Sequence, residues 1–176
     1  MLELHVVRSE DIPPARLAEV RTLLLEAFGG DFTADDWDHT VGGWHVIALD
    51  EGPVAHACAV ERAIEVGGRV LRTGYVEGVA TAPRRQRTGL GTAVMRRLDQ
   101  LIDASFDLGA LSTGSHPFYE RLGWERWQGP SYVRHGHEVV RTLGEDDGIM
   151  VRRGRTTADL DPTLPIVCPT RPGDDW

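Results

Sequence analysis

The sequence contains no lysine: all 19 of its basic residues are arginine, a bias whose plainest reading is genomic base composition. Cysteine is almost absent. Cys58 and Cys168 lie far apart in no metal-ligand spacing, which excludes a disulfide scaffold and a zinc motif and makes a reducing cytoplasm the expected compartment. No apolar run approaches the roughly 18–20 residues that span a bilayer. The opening MLELHVVRSED scatters charge where a secretory leader would carry an apolar stretch. Positive charge is also scarce, 19 basic against 27 acidic residues, and a net charge of −8 argues against generic nucleic-acid binding. What remains is ordinary: 176 residues, 41% hydrophobic and 26% charged, enough to bury one core without staples. These values predict a single domain, residues 1–176, with 161–176 as an appended tail.

Charge is unevenly spread. From Thr22 to Glu61 there is no basic residue, but there are eight acids: Glu26, Asp31, Asp35, Asp36, Asp38, Asp50, Glu51 and Glu61. From Gly78 to Leu98 there is no acid, but there are five arginines, at 84, 85, 87, 96 and 97. Such runs are solvated faces unless each meets a ligand of opposite sign.

Hydrophobic periodicity orders the chain. Leu2 to Arg8 alternates as a strand. Pro13-Pro14 opens a helix carrying Leu17, Val20, Leu24 and Phe28, which Gly29-Gly30 stops. Thr33 and Asp36 form a capping pattern for a short helix across Trp37 to Val41. Strands are expected at 44–49, 54–66 and 69–81, the last two joined by Gly67-Gly68. Leu90, Val94, Leu98, Leu101 and Ile102 mark an amphipathic helix. A strand at 108–111, a helix at 117–122, and strands at 124–127 and 148–152 follow. Residues 129–144 read as a polar loop, and the chain beyond Asp161 as an extended surface segment. The order predicts an α+β fold: one mixed, mostly antiparallel sheet with helices on both faces.

The densest chemical signal is Val79-Ala80-Thr81-Ala82-Pro83-Arg84-Arg85-Gln86-Arg87-Thr88-Gly89-Leu90-Gly91-Thr92, set where a strand ends and a helix begins. Glycines allow close backbone approach, and the free amides of a first helical turn make a phosphate site. The segment lacks the Gly-Lys-Ser/Thr of a Walker loop and the third glycine of a dinucleotide fingerprint. A lone Gly-x-Gly is otherwise a plain helix cap.

Gln86-x-x-Gly89-x-Gly91 resembles the pyrophosphate loop of the GCN5-related N-acetyltransferases (GNAT). Phe118-Tyr119-Glu120-Arg121-Leu122-Gly123-Trp124, about thirty residues on, resembles the same superfamily's Tyr-x-x-x-Gly-aromatic segment. Across nearly the whole chain, Gly29-Gly30-Asp31-Phe32-Thr33, Asp36-Trp37-Asp38-His39-Thr40, Gly74 to Ala80, Leu108 to Ser112 and Gly173-Asp174-Asp175-Trp176 are similar to aminoglycoside 2′-N-acetyltransferases. Two departures bear on substrate range: the loop 131–143, with His135 and His137, and the basic run Arg152-Arg153-Gly154-Arg155.

The resemblance implies a GNAT fold and transfer of acetyl from acetyl-CoA to an aminoglycoside amine, hence antibiotic resistance. It further implies a homodimer. Apart from the resemblance, the scattered histidines point to no metal site, His135-Gly136-His137 reading as a solvated loop or else a weak metal site, and nothing points to a membrane. It places Val79, Ala80, Thr81, Gln86, Arg87, Thr88, Gly89, Leu90, Gly91 and Thr92 on acetyl-CoA, and makes the Val79 N–H the oxyanion donor. Tyr119 would protonate the leaving thiolate, or else be a core aromatic beside Phe118 and Leu122. Glu77 would take the amine's proton, or be an exposed strand acid. Ser112 and Gly78 would contact substrate, Ser112 being equally readable as a turn serine. A polycation needs acids, and Asp31, Asp36, one of Asp146 and Asp147, and Asp174 supply them, with Trp176 on a tail that folds back or frays. Two other readings stay open: a polyamine or endogenous amino-sugar acetyltransferase, and a non-catalytic acyl-CoA-binding module. The presence of Glu77 and Tyr119 argues against the second.

Overall fold

The computed structural model describes residues 2–176. Their contacts divide into two compact units: residues up to Val60 with Val76–Leu101, and Glu61–Tyr75 with Ile102–Trp176.

In the first unit β1 (Glu3–Arg8), β2 (Trp44–Leu49) and the leading half of β3 (Pro53–Val66) pair antiparallel. Helix α1 (Pro14–Phe28) begins at a proline pre-set for the first turn. Its buried Val20 and Leu24 pack with Ile12, Ile47 and Ala80, and Leu17 and Trp37 press on that cluster. Thr33 and Asp36 form the expected capping box. Because Thr33 is its N-cap, α2 runs Ala34–Asp38, three residues earlier than periodicity alone suggests. The trailing half of β4 (Arg69–Thr81) leads through a single helical turn, Pro83–Arg85, into α3 (Leu90–Ser105).

In the second unit β5 (Leu108–Ser112) lies parallel to the leading half of β4 and antiparallel to β9 (Ile149–Arg153), which also carries β6 (Glu125–Arg126). Helix α4 spans His116–Glu120.

Two expectations change here. Residues 129–144 are not a loop: β7 (Ser131–His135) and β8 (Glu138–Arg141) form a hairpin closed by Gly136-His137, with Gly136 at φ +62°, the left-handed region such two-residue turns require. Every residue of β8 is exposed, so no apolar alternation marked it as a strand. The tail is not a surface segment either. Its Ile166–Pro169, β10, lies parallel to β7 and antiparallel to the end of β3, with Ile166, Val167 and Cys168 buried. Three consecutive small or branched apolar residues suit a strand covered on both faces. No described helix is long and apolar enough to cross a membrane.

Candidate active site

Strand β4 delivers Glu77, Gly78, Val79, Ala80 and Thr81 in succession, with Glu77, Gly78 and Val79 half-buried. Gly78 sits at φ +56°, a left-handed break in the strand that a side chain rarely adopts. A Cβ there would also press on Thr40 Cγ2 at 3.3 Å and the His56 ring at 3.4 Å. Glu77 stands near Cys58: burial first, and the Glu77 charge second, push that thiol well above its usual range.

The glycine loop then turns sharply. Thr88 Oγ1 donates to the Arg85 carbonyl at 2.5 Å, Arg87 takes φ +61° despite its side chain, and Gly89 takes φ +87°. The Gly89 carbonyl accepts the Ala93 N–H at 3.0 Å, so the amides of Leu90, Gly91 and Thr92 precede the first intrahelical donor of a sixteen-residue helix. Arg85 pairs with Asp50 at 2.8 Å. Among the described residues, no acid pairs with Arg84, Arg87 or Arg96. Backbone amides, a helix N-terminus and uncompensated guanidiniums together suit a polyphosphate such as that of coenzyme A.

Behind the Gly78 break lie two histidines that no motif announced. His45 and His56 are 1% and 0% exposed. Burial holds their pKa values down, to about 4 for His45 and about 3 for His56, where the His45 ring adds to the shift. The signal that could have found them is a histidine within each apolar strand, Trp44-His45-Val46 and Ala55-His56-Ala57. Asp31 is exposed at the end of a helical turn after α1. Asp36 spends one carboxylate oxygen on the Thr33 N–H (2.7 Å) and hydroxyl (2.8 Å).

The remaining sequence candidates belong to the second unit. Tyr119, on α4, is 8% exposed and meets Phe118 and Trp124 edge-on. Ser112 ends β5, half-buried. The Asp146 carboxylate is committed to the Arg141 guanidinium and accepts from the Ser131 N–H and hydroxyl, which holds it far below the usual carboxylate range. Asp147 is exposed, and its carbonyl faces His116 Nε2 at 2.6 Å.

The tail is tied down. Arg62 donates to the carbonyls of Asp175 and Pro169, each at 2.7 Å, and Arg62 and Arg171 each stack on the Tyr75 ring, 4.7 and 5.3 Å from its centroid. Trp176 is 7% exposed and its indole N–H donates to Thr142 Oγ1 at 3.2 Å, while Asp174 is exposed. The basic departure at the end of β9 is structural: Arg152 forks onto Asp103 (2.7 and 2.6 Å), and Arg153 onto Glu125.

The structure thus groups Glu77, Gly78, Val79 and the glycine loop on one strand–turn–helix segment. It commits Asp146, and part of Asp36, to the protein itself.

The acetyltransferase (GNAT) domain family matches residues 11–127. An aminoglycoside 2′-N-acetyltransferase of Mycolicibacterium fortuitum is 37% identical over 98% of this chain and 91% of its own. Among solved structures, the GNAT-family N-acetyltransferase YhbS of Escherichia coli, crystallised with CoA, superposes with a TM-score of 0.68 over 96% of this chain and 91% of that one, at 15% identity. A GCN5-related N-acetyltransferase from Kribbella flavida gives 0.57 over 73% of this chain at 24% identity; the match spans about a third of that longer protein, 34%. Motif, fold and relatives agree: the chain is an acetyltransferase of the GNAT superfamily and belongs to the family of the M. fortuitum aminoglycoside 2′-N-acetyltransferase.

Proposed function

We propose that the protein transfers acetyl from acetyl-CoA to the 2′-amino group of aminoglycosides. The observation that carries the chemistry is the Gly78 break, which sets Val79 immediately ahead of a loop whose amides and unpaired arginines suit coenzyme A phosphates. The substrate follows from 37% identity along nearly the entire chain to an enzyme of that name.

The substrate amine, freed of its proton, attacks the thioester carbonyl; a C–N bond forms and the C–S bond breaks. Glu77 accepts the amine's proton. The Val79 N–H stabilises the negative charge on the carbonyl oxygen. Tyr119 gives its proton to the departing thiolate. Val79, Ala80 and Thr81 offer strand-like backbone to the pantetheine arm. Gln86, Arg87, Thr88, Gly89, Leu90, Gly91 and Thr92 hold the phosphates. Asp31, Asp147 and Asp174 present exposed carboxylates to the polycation, with Ser112, Gly78 and Trp176 completing its contacts; Asp146 acts instead by bracing the hairpin through Arg141 and Ser131. The reading takes residues 1–176 as one domain with 161–176 as its tail, working as a cytoplasmic homodimer in antibiotic resistance.

The test is thiol release with two drugs. Tobramycin carries an amine at the 2′ carbon, whereas kanamycin A has a hydroxyl there and keeps other amines. Transfer requires reacting atoms about 3–3.5 Å apart, so tobramycin is expected to turn over and kanamycin A only to compete. Equal turnover of both defeats the 2′ assignment. Release with a simple polyamine alone replaces the substrate class.

A further inference from the structure

The two buried histidines form a hydrogen-bonded chain that ends on the Gly78 carbonyl. Ser9 Oγ lies 2.7 Å from His45 Nε2, His45 Nδ1 lies 2.9 Å from His56 Nε2, and His56 Nδ1 lies 2.6 Å from the Gly78 carbonyl oxygen. The last acceptor fixes every proton before it. A carbonyl oxygen only accepts, so His56 carries its proton on Nδ1 and, being neutral, presents a bare Nε2. His45 must then donate from Nδ1, which leaves its own Nε2 to accept the Ser9 hydroxyl. Both rings are thereby forced into the Nδ1–H tautomer, the less favoured one for a free imidazole, and every dipole along the chain points toward Gly78.

The Gly78 carbonyl and the Val79 N–H belong to one peptide group. A trans peptide directs them to opposite sides, and no described peptide bond is cis. A donor held on that carbonyl fixes the peptide plane at a left-handed residue, where the strand itself constrains it least. It also polarises the amide, making the N–H on the far side a stronger donor. Burying two imidazoles costs free energy that apolar side chains would not, and this geometry gives the cost a use.

We propose that His56, held in turn by His45 and Ser9, is a positioning residue for acetyl transfer: through the Gly78 carbonyl it orients and polarises the Val79 N–H toward the thioester oxygen. The inference rests on the reading of Val79 as the oxyanion donor. It adds a set of residues that touch neither acetyl-CoA nor the amine.

The experiment compares wild type with His56→Leu, which removes the donor, and His56→Asn, whose carboxamide N–H reaches roughly where Nδ1–H stood. The expected result for His56→Leu is a fall in kcat of about 10- to 100-fold, with KM for acetyl-CoA and for tobramycin changed less than about 2-fold. His56→Asn is expected to recover most of that loss. A folded His56→Leu protein with unchanged kcat, or one whose loss falls on KM, overturns the proposal. Should the variants not fold, long-range proton–nitrogen NMR of the wild type decides. Nδ1–H on both rings supports the chain, and an Nε2–H tautomer at His56 ends it. Wild type that releases no thiol with any aminoglycoside sinks the substrate reading instead, and the tautomers then judge the positioning chain alone.

Discussion

Around the glycine loop of the first unit, Arg84, Arg87 and Arg96 meet no acid among the described residues; in the second unit, Arg126, Arg134, Arg141, Arg152 and Arg153 each close on a carboxylate. The same residue type thus serves two purposes. Where the guanidiniums are uncompensated, backbone amides and a helix N-terminus lie beside them, a combination that suits an anionic ligand. Where they are paired, they pin strand ends and hairpins to one another. A charge count treats all 19 arginines alike; pairing separates those available for a ligand from those already used by the fold.

The largest effect that sharpens this contrast is catalytic. Tyr119→Phe is expected to lower kcat about 100-fold while acetyl-CoA affinity by calorimetry stays unchanged, separating a chemical role in the second unit from binding in the first. An unaltered rate removes Tyr119 from the mechanism.

Acid should expose a second difference, because the buried titratable bases of the first unit are histidines while the paired bases of the second are arginines. His45 and His56 have folded-state pKa values of about 4 and about 3, below the ordinary 6.5, with Arg8 the nearby charge acting on His45. The unfolded chain therefore binds more protons as pH falls. The contribution is complete above about pH 6.5 and is lost progressively toward pH 4. Stability in urea is expected to drop by roughly 3–4 kcal/mol between pH 7 and pH 5, about 2 for each histidine, with amide protection in the first unit failing first. Uniform loss of protection would break the contrast.

Arg62→Ala releases the Asp175 and Pro169 carbonyls and one face of Tyr75. Steady-state kinetics should show KM for aminoglycoside raised about 10-fold with acetyl-CoA affinity intact; a change in acetyl-CoA affinity instead would misplace the tail. Arg87→Ala is the smallest effect. Acetyl-CoA should bind about 3-fold more weakly, with a shallower salt dependence, and folding stability should stay within about 0.5 kcal/mol. A large loss of stability would mean that this arginine, too, belongs to the fold.

Much of this was legible in the sequence because it is written locally. Strands 44–49 and 69–81, helix α1 and the Thr33–Asp36 capping box each follow from a short run of residues obeying one period or one cap. The glycine loop is legible for the same reason: backbone recognition needs glycines at fixed spacing. The β7–β8 hairpin was hidden because β8 is exposed on all its residues and so lacks apolar alternation. The roles of Asp146 and Arg152 were hidden because their partners, Ser131 and Asp103, lie 15 and 49 residues away. The histidine chain joins Ser9, His45, His56 and Gly78 across three strands and a turn, and nothing in the spacing of those four residues announces it.

The arginine-only pairing has one more consequence. Amine acylation runs fastest in alkali, where more of the substrate amine is unprotonated, and a lysine ammonium would itself lose its charge there. A guanidinium does not, since it holds its proton beyond about pH 12. The Arg152–Asp103 and Arg153–Glu125 clasps thus remain charged throughout the range in which substrate amines become nucleophilic. With no lysine in the chain, no side chain of this acetyltransferase offers an aliphatic amine to a stray thioester.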